Sequence, residues 1–173
     1  STAPMSVHLA AGMHGAVIID PPELSQVDHE FVLIQSEIYL GPEGGATDEA
    51  KVAAKTPDLM AFNGMAFQYK YRPLQVTVGQ RVRFWLMDAG PSLPCTFHVV
   101  GGQFDQVFYE GAWTLGGPDQ IGARWSGGSQ ALNLGPCQGG FVEFVPPQAG
   151  HYTFVTHAFA DMEKGAVGVL QVQ

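Results

Sequence analysis

Leu74-Gln75-Val76-Thr77-Val78, then Gly79-Gln80, then Arg81-Val82-Arg83-Phe84-Trp85-Leu86 is the stretch that decides the fold. Apolar and polar residues alternate on both sides of a two-residue turn, the period of half-buried strands. Further short β-rich runs follow: Thr96 to Val100, Val107 to Glu110, Phe141 to Val145, Tyr152 to His157 and Ala166 to Val172. Gly101-Gly102, Gly139-Gly140, Pro146-Pro147 and Ala149-Gly150 punctuate them. Seven or more short strands at this spacing predict an all-β Greek-key β-sandwich.

Upstream, His29 to Leu40 reads as a strand whose continuous apolar run, Phe31 to Ile34, suits cover on both faces over part of its length. Gly15 to Asp20 (GAVIID) is a short β-branched run stopped by Pro21-Pro22. Thr47 or Asp48 can cap a helix through Glu49 to Lys55, ended by Pro57. It is the one helix the sequence predicts. The Gly-rich stretch from Gly111 to Gly135, with Trp113 and Trp125, is long enough to imply function or an interface.

Composition excludes several classes. The 173 residues suffice for one ordinary domain, 46% are hydrophobic, and 22 Gly with 12 Pro agree with many turns. Sixteen acidic against eight basic residues give a net charge of −8, and no Lys/Arg cluster offsets it, which argues against nucleic acid as a partner. No apolar run approaches the roughly 18 residues of a membrane span. The acidic residues Asp20, Asp28, Glu37, Asp105, Glu110, Glu143 and Asp161 form no matched pair for glycosidase chemistry. No G-x-S-x-G elbow or phosphate-binding glycine loop occurs. Cys95 and His98 lie three apart on a strand and so face opposite sides.

Chemistry therefore rests on the histidines. His8-x4-Met13 places an imidazole near a soft thioether, a pairing suited to copper when a cysteine thiolate and a second His complete the set. The thiolate is expected about eight residues before His8, just ahead of Ser1. His8 to Val17 is echoed by His157 to Val167, each reading His, then Met five positions on, then Gly-Ala-Val. Residues 1–22 are accordingly read as the remnant of a preceding domain, and 23–173 as a whole second one. His98 and His157, both among apolar neighbours, fit either a core histidine or a ligand. His14, His29 and His151 are read as solvated.

Together these features resemble the copper-containing nitrite reductases and related two-domain multicopper oxidases. Ala3-Pro4-Met5-Ser6-Val7-His8-Leu9-Ala10-Ala11-Gly12-Met13-His14-Gly15-Ala16 is similar to the family's type 1 copper loop without its cysteine. Asp28-His29-Glu30-Phe31 through Tyr39, Phe62-Asn63-Gly64, the Gly79-to-Arg83 hairpin, Phe97-His98-Val99-Val100-Gly101, Phe104-Asp105-Gln106-Val107 and Gly165-Ala166-Val167-Gly168 follow in the family's order.

The resemblance implies a cupredoxin-like domain and copper as cofactor. It implies His157 as a type 2 ligand shared between subunits of a homotrimer, and His98 as a catalytic proton relay to nitrite. His8 and Met13 match two of four type 1 ligands. The implied partners are a small-molecule substrate and a redox protein donor. The type 1 Cys, its other His and both first-domain type 2 His have no counterpart here, so the isolated chain is expected to be inactive. Two alternatives remain: a multicopper oxidase with another substrate, or a copper-free cupredoxin module for assembly or recognition. A Cys95–Cys137 disulfide is also expected, because the two strand starts can lie at one end of a cupredoxin sandwich. It would contribute about 4 kcal/mol through loop closure. That bridge would imply an oxidising, extracytoplasmic compartment, whether periplasmic, secreted or cell-surface.

Overall fold

The computed structural model describes residues 3–117 and 127–173, so Trp125 and the centre of the long Gly-rich stretch lie outside the described residues. Its elements run α1 (Met5–Ala10), β1 (His29–Ile38), α2 (Glu49–Ala54), β2 (Leu59–Phe62), α3 (Gln68–Tyr71), β3 (Leu74–Val76) and β4 (Val82–Asp88). There follow β5 (Cys95–Val99), β6 (Gln106–Tyr109), β7 (Ala112–Leu115), β8 (Ala131–Leu134), β9 (Gly139–Phe144), β10 (Gly150–Thr156), α4 (Phe159–Met162) and β11 (Val167–Val172). Two sheets result, with strand orders β2-β1-β4-β9-β6-β7 and β3-β11-β10-β5-β8. This is the expected β-sandwich.

Alternation sets which face is buried. Val82, Phe84 and Leu86 of β4, Cys95, Phe97 and Val99 of β5, and Tyr152 and Phe154 of β10 all point into the interior. Phenylalanine rings knit the layers: Phe84 lies 5.3 Å from Phe97 and 5.8 Å from Phe154 between centroids. Each such ring contributes roughly 1.5–3 kcal/mol by leaving water.

Several expectations need correcting. Gly79-Gln80 does not close a hairpin. β3 pairs in parallel with β11, β4 pairs in parallel with β1, and the turn carries the chain from one sheet to the other. Gly79, at φ +77°, turns that corner and donates its N–H to the Pro146 carbonyl. Among the described residues four short helices stand where one was predicted, and of these only α2 has a side-chain cap, Asp48 accepting from Ala50 and Lys51. The others follow from tertiary packing rather than local signals. Residues 15–20 form no strand, and Val17 and Ile19 stand exposed. In β1 the apolar run is the less covered half: Val32 is 39% exposed, whereas Gln35, Ser36 and Glu37 are buried.

That buried polar half clamps the loop leading into β5. Glu37 accepts from the Ser92 and Leu93 amides at 2.6 Å and from the Tyr39 hydroxyl. Gln35 donates to the Pro94 carbonyl, and Asp88 accepts from Gly90 N–H at 2.9 Å. Gln35 and Asp88 are register partners, and each leaves one side-chain oxygen without a hydrogen bond. Burial, reinforced by the Glu37 carboxylate and opposed by the Gly90 and Cys95 amides, raises the Asp88 pKa to about 7. A protonated Asp88 has the O–H that the orphaned Gln35 oxygen needs.

The folded state thus holds its proton more tightly than the unfolded one, whose Asp titrates near 3.9. The contribution of Asp88 to stability is complete below that value and is lost as pH rises through about 7. Asp88→Asn, which keeps a donor towards Gln35 at every pH, should be more stable than wild type at pH 8 by about 1–3 kcal/mol. It should lose that advantage by pH 4. Urea unfolding at the two pH values checks this, and a pH-independent difference would contradict it.

Candidate functional site

His98 and His157 come together on the outward face of the five-stranded sheet. In β5 the burial pattern sends Phe97 inward and leaves His98 half-buried on the outside. β10 pairs antiparallel to β5 with Val155 opposite His98, and the His157 amide extends the ladder by donating to the Thr96 carbonyl at 2.7 Å. The rings consequently face each other with centroids 5.4 Å apart and planes at 69°. Neither is a core histidine.

The two imidazoles are held differently. His98 Nδ1 bonds the Gln130 carbonyl, which can only accept. Nδ1 therefore carries a hydrogen, which leaves Nε2 as the ring's other polar atom. His157 is exposed, with no side-chain hydrogen bond among the described residues, and its ring lies 4.5 Å from that of Phe159. Val100 is exposed nearby in sequence, one residue past β5.

His8 and Met13 lie elsewhere. His8 sits in α1, which packs through Val7 against Tyr39 and Val52, and Met13 is 69% exposed beyond the helix end. The Met13 amide donates to the His8 carbonyl at 3.1 Å, so one turn links the two residues. Nothing in these contacts brings them to the His98–His157 face. Nor are His14 and His29 simply solvated: His14 is half-buried with Nδ1 unpartnered, and His29 Nε2 pairs with Gln80 Oε1 at 2.7 Å. His151 is exposed, as expected.

The expected Cys95–Cys137 disulfide is absent, and both thiols are free. Cys95 faces the sandwich interior, where burial pushes its pKa up, with the Asp88 charge adding to the rise. Cys137 is exposed at a turn with φ +76° and hydrogen-bonds through its amide to the Asp88 carbonyl. One thiol points into the core and the other into solvent.

Phe159 and the Gln130 carbonyl are the parts of the site that sequence reading missed. Gln130 precedes β8 and meets His98 only through tertiary structure, so no local signal marks it. Phe159, two residues after His157 in an exposed turn, was visible in retrospect as an apolar residue with no strand to serve.

Comparison with known proteins bears on the fold. No protein-family model matches the chain. A copper-containing nitrite reductase from Neisseria gonorrhoeae is 33% identical over 181 aligned residues, covering 100% of this chain and 44% of that protein. A copper nitrite reductase structure from Nitrosomonas europaea superposes with a TM-score of 0.83 at 27% identity, covering 98% of this chain and 59% of that one. A multicopper oxidase at 21% identity and TM-score 0.78, covering 99% and 54%, shares the fold. The chain thus spans under half the length of the curated relative and a little over half of these structures.

Fold and relatives define a cupredoxin-like domain of the kind found in copper oxidoreductases. More particularly, this chain is similar along its length to part of the copper-containing nitrite reductases and shares the fold of part of a multicopper oxidase.

Thiol titration of the native chain should count one reactive group, Cys137, with Cys95 appearing only on unfolding. Two unreactive cysteines in the unfolded, unreduced chain would restore the disulfide. Intense blue absorption needs copper bound by a thiolate and two imidazoles. No group of three His, Cys, Asp or Glu able to hold a metal occurs among the described residues. Cu(II) added to this chain should therefore give no strong visible band.

Proposed function

We propose that the chain is the carboxy-terminal cupredoxin domain of a nitrite reductase that converts nitrite to nitric oxide in an intact homotrimer. The carrying observation is the His98–His157 pair, two imidazoles 5.4 Å apart on an outward sheet face. Residues 1–22 then belong with a preceding domain. In support, His8 and Met13 keep type 1 spacing, while Val17 and Ile19 expose apolar surface.

The residues fit copper in part. His157 offers an exposed imidazole without a hydrogen bond among the described residues, and neutral imidazole suits copper. One histidine is not a complete ligand set, so in this reading the remaining ligands come from a second copy's first domain. Copper bound there would supply the one-electron step and a seat for a nitrite oxygen.

Reduction of nitrite to nitric oxide takes up one electron and two protons and releases water. His98 is suited to the proton part. Its Nδ1–H is tied to Gln130, so the ring is fixed and Nε2 is the atom that gains and gives up a proton beside His157. Val100, exposed one residue past β5, would line the apolar side of the substrate's approach. A redox protein would deliver the electron through the preceding domain.

In the full-length parent, His157→Ala should empty the type 2 site and leave the blue copper intact. His98→Ala should keep both coppers and lower turnover by about 10²–10⁴-fold, the usual size of an acid–base contribution. Copper content measured by site separates the two. Retention of type 2 copper by His157→Ala, or its loss from His98→Ala, would reverse the assignment.

A further inference from the structure

We propose that Phe159 is a positioning residue that holds the His157 imidazole in its working orientation, doing by ring contact what a hydrogen bond ordinarily does. The inference rests on the reading of His157 as a copper ligand. A metal-bound histidine usually donates its second ring nitrogen to a fixed acceptor, which sets the ring's rotation. His98 has such an acceptor in the Gln130 carbonyl, but His157 has none among the described residues. What His157 has instead is an aromatic neighbour on the same short segment, with centroids 4.5 Å apart and planes inclined by 31°.

The backbone gives Phe159 a fixed base from which to act. It opens α4, in the connection between β10 and β11. That connection is closed at its root by the Thr156 amide donating to the Ala166 carbonyl at 3.1 Å. The Asp161 and Met162 amides both donate to the Ala158 carbonyl, at 2.8 and 3.0 Å, which fixes the turn on which Phe159 stands. The phenyl ring is 53% exposed and belongs to none of the hydrophobic clusters, so core packing does not explain its place. Contact with His157 does. Such packing restricts the imidazole without occupying either nitrogen, and both remain available to a ligand. The phenyl face also keeps water from one side of the ring.

The test begins with this chain. His157 side-chain couplings and ring-proton shifts, read by NMR, should report one rotamer and a ring-current displacement in the wild type. In Phe159→Ala the couplings should average. In Phe159→Tyr they should return to the wild-type pattern. Phe159→Leu keeps apolar bulk and guards against loss of the fold; it should lose the ring-current displacement. In the full-length parent, Phe159→Ala should weaken copper at the His157 site about tenfold, the lower end of the effect of losing a ligand's support. Phe159→Tyr should stay within about twofold of wild type.

Unchanged His157 couplings in Phe159→Ala, or averaged couplings already in wild type, would overturn the proposal. So would unaltered copper affinity in Phe159→Ala when His157→Ala empties the site. If His157→Ala itself retains the copper, the reading of the site fails, and the couplings still decide whether Phe159 orients the ring.

Discussion

The register between β5 and β10 is the constraint on which the site depends. With Phe154 opposite Val99 and Val155 opposite His98, the inward side chains of the two strands meet in the core while His98 and, just past β10, His157 lie on the other face. A slip of one residue would turn His98 into the core and Phe97 into water, because strand side chains alternate with a period of two. The interior rings forbid it: Phe97 and Phe154 lie 6.0 Å apart and share the core with Phe84 and Phe62. Hydrophobic packing on one face of the sheet thereby fixes the chemistry on the other.

Much of this was legible in the sequence because alternation is local. The strands β4, β5, β10 and β11 could be drawn from the pattern of apolar residues, and α2 from Asp48 before Glu49. What the pattern could not supply was the identity of each strand's partner. β3 and β4 read as a hairpin because two residues separate the alternating runs. Yet the Leu74–Val76 strand pairs with Leu170–Val172 near the other end of the chain. The same limit hid Gln130, whose carbonyl reaches His98 from the start of β8. The two cysteines misled for a related reason: proximity of strand starts says nothing about which face each thiol takes, and here the faces differ.

The opposite sheet has its own outward layer, and it is not a solvated one. Trp85, Phe108 and Phe141 form a second cluster with Leu24 and Trp113. Beside it Arg83 is buried, bonded to Glu143 at 2.8 Å and paired with Glu30 at 2.8 Å. Breaking such a buried pair by removing one partner costs about 3–5 kcal/mol, since the other charge is left without compensation. One face of the molecule is thus committed to packing, whereas on the other His98 is half-buried and His157 exposed. A face that offers one candidate ligand, His157, is what a domain needs if its site is completed by another copy.

The central claim is that His157, and not His98, is bonded to copper that other chains help to hold. Diffraction from the full-length protein on the two sides of the copper absorption edge locates the metal directly. The account predicts an anomalous peak within bonding distance of a His157 nitrogen, with the remaining ligands from a neighbouring subunit and His98 nearby but unbonded. A peak bonded to both histidines of one chain, or no copper at His157, would contradict it.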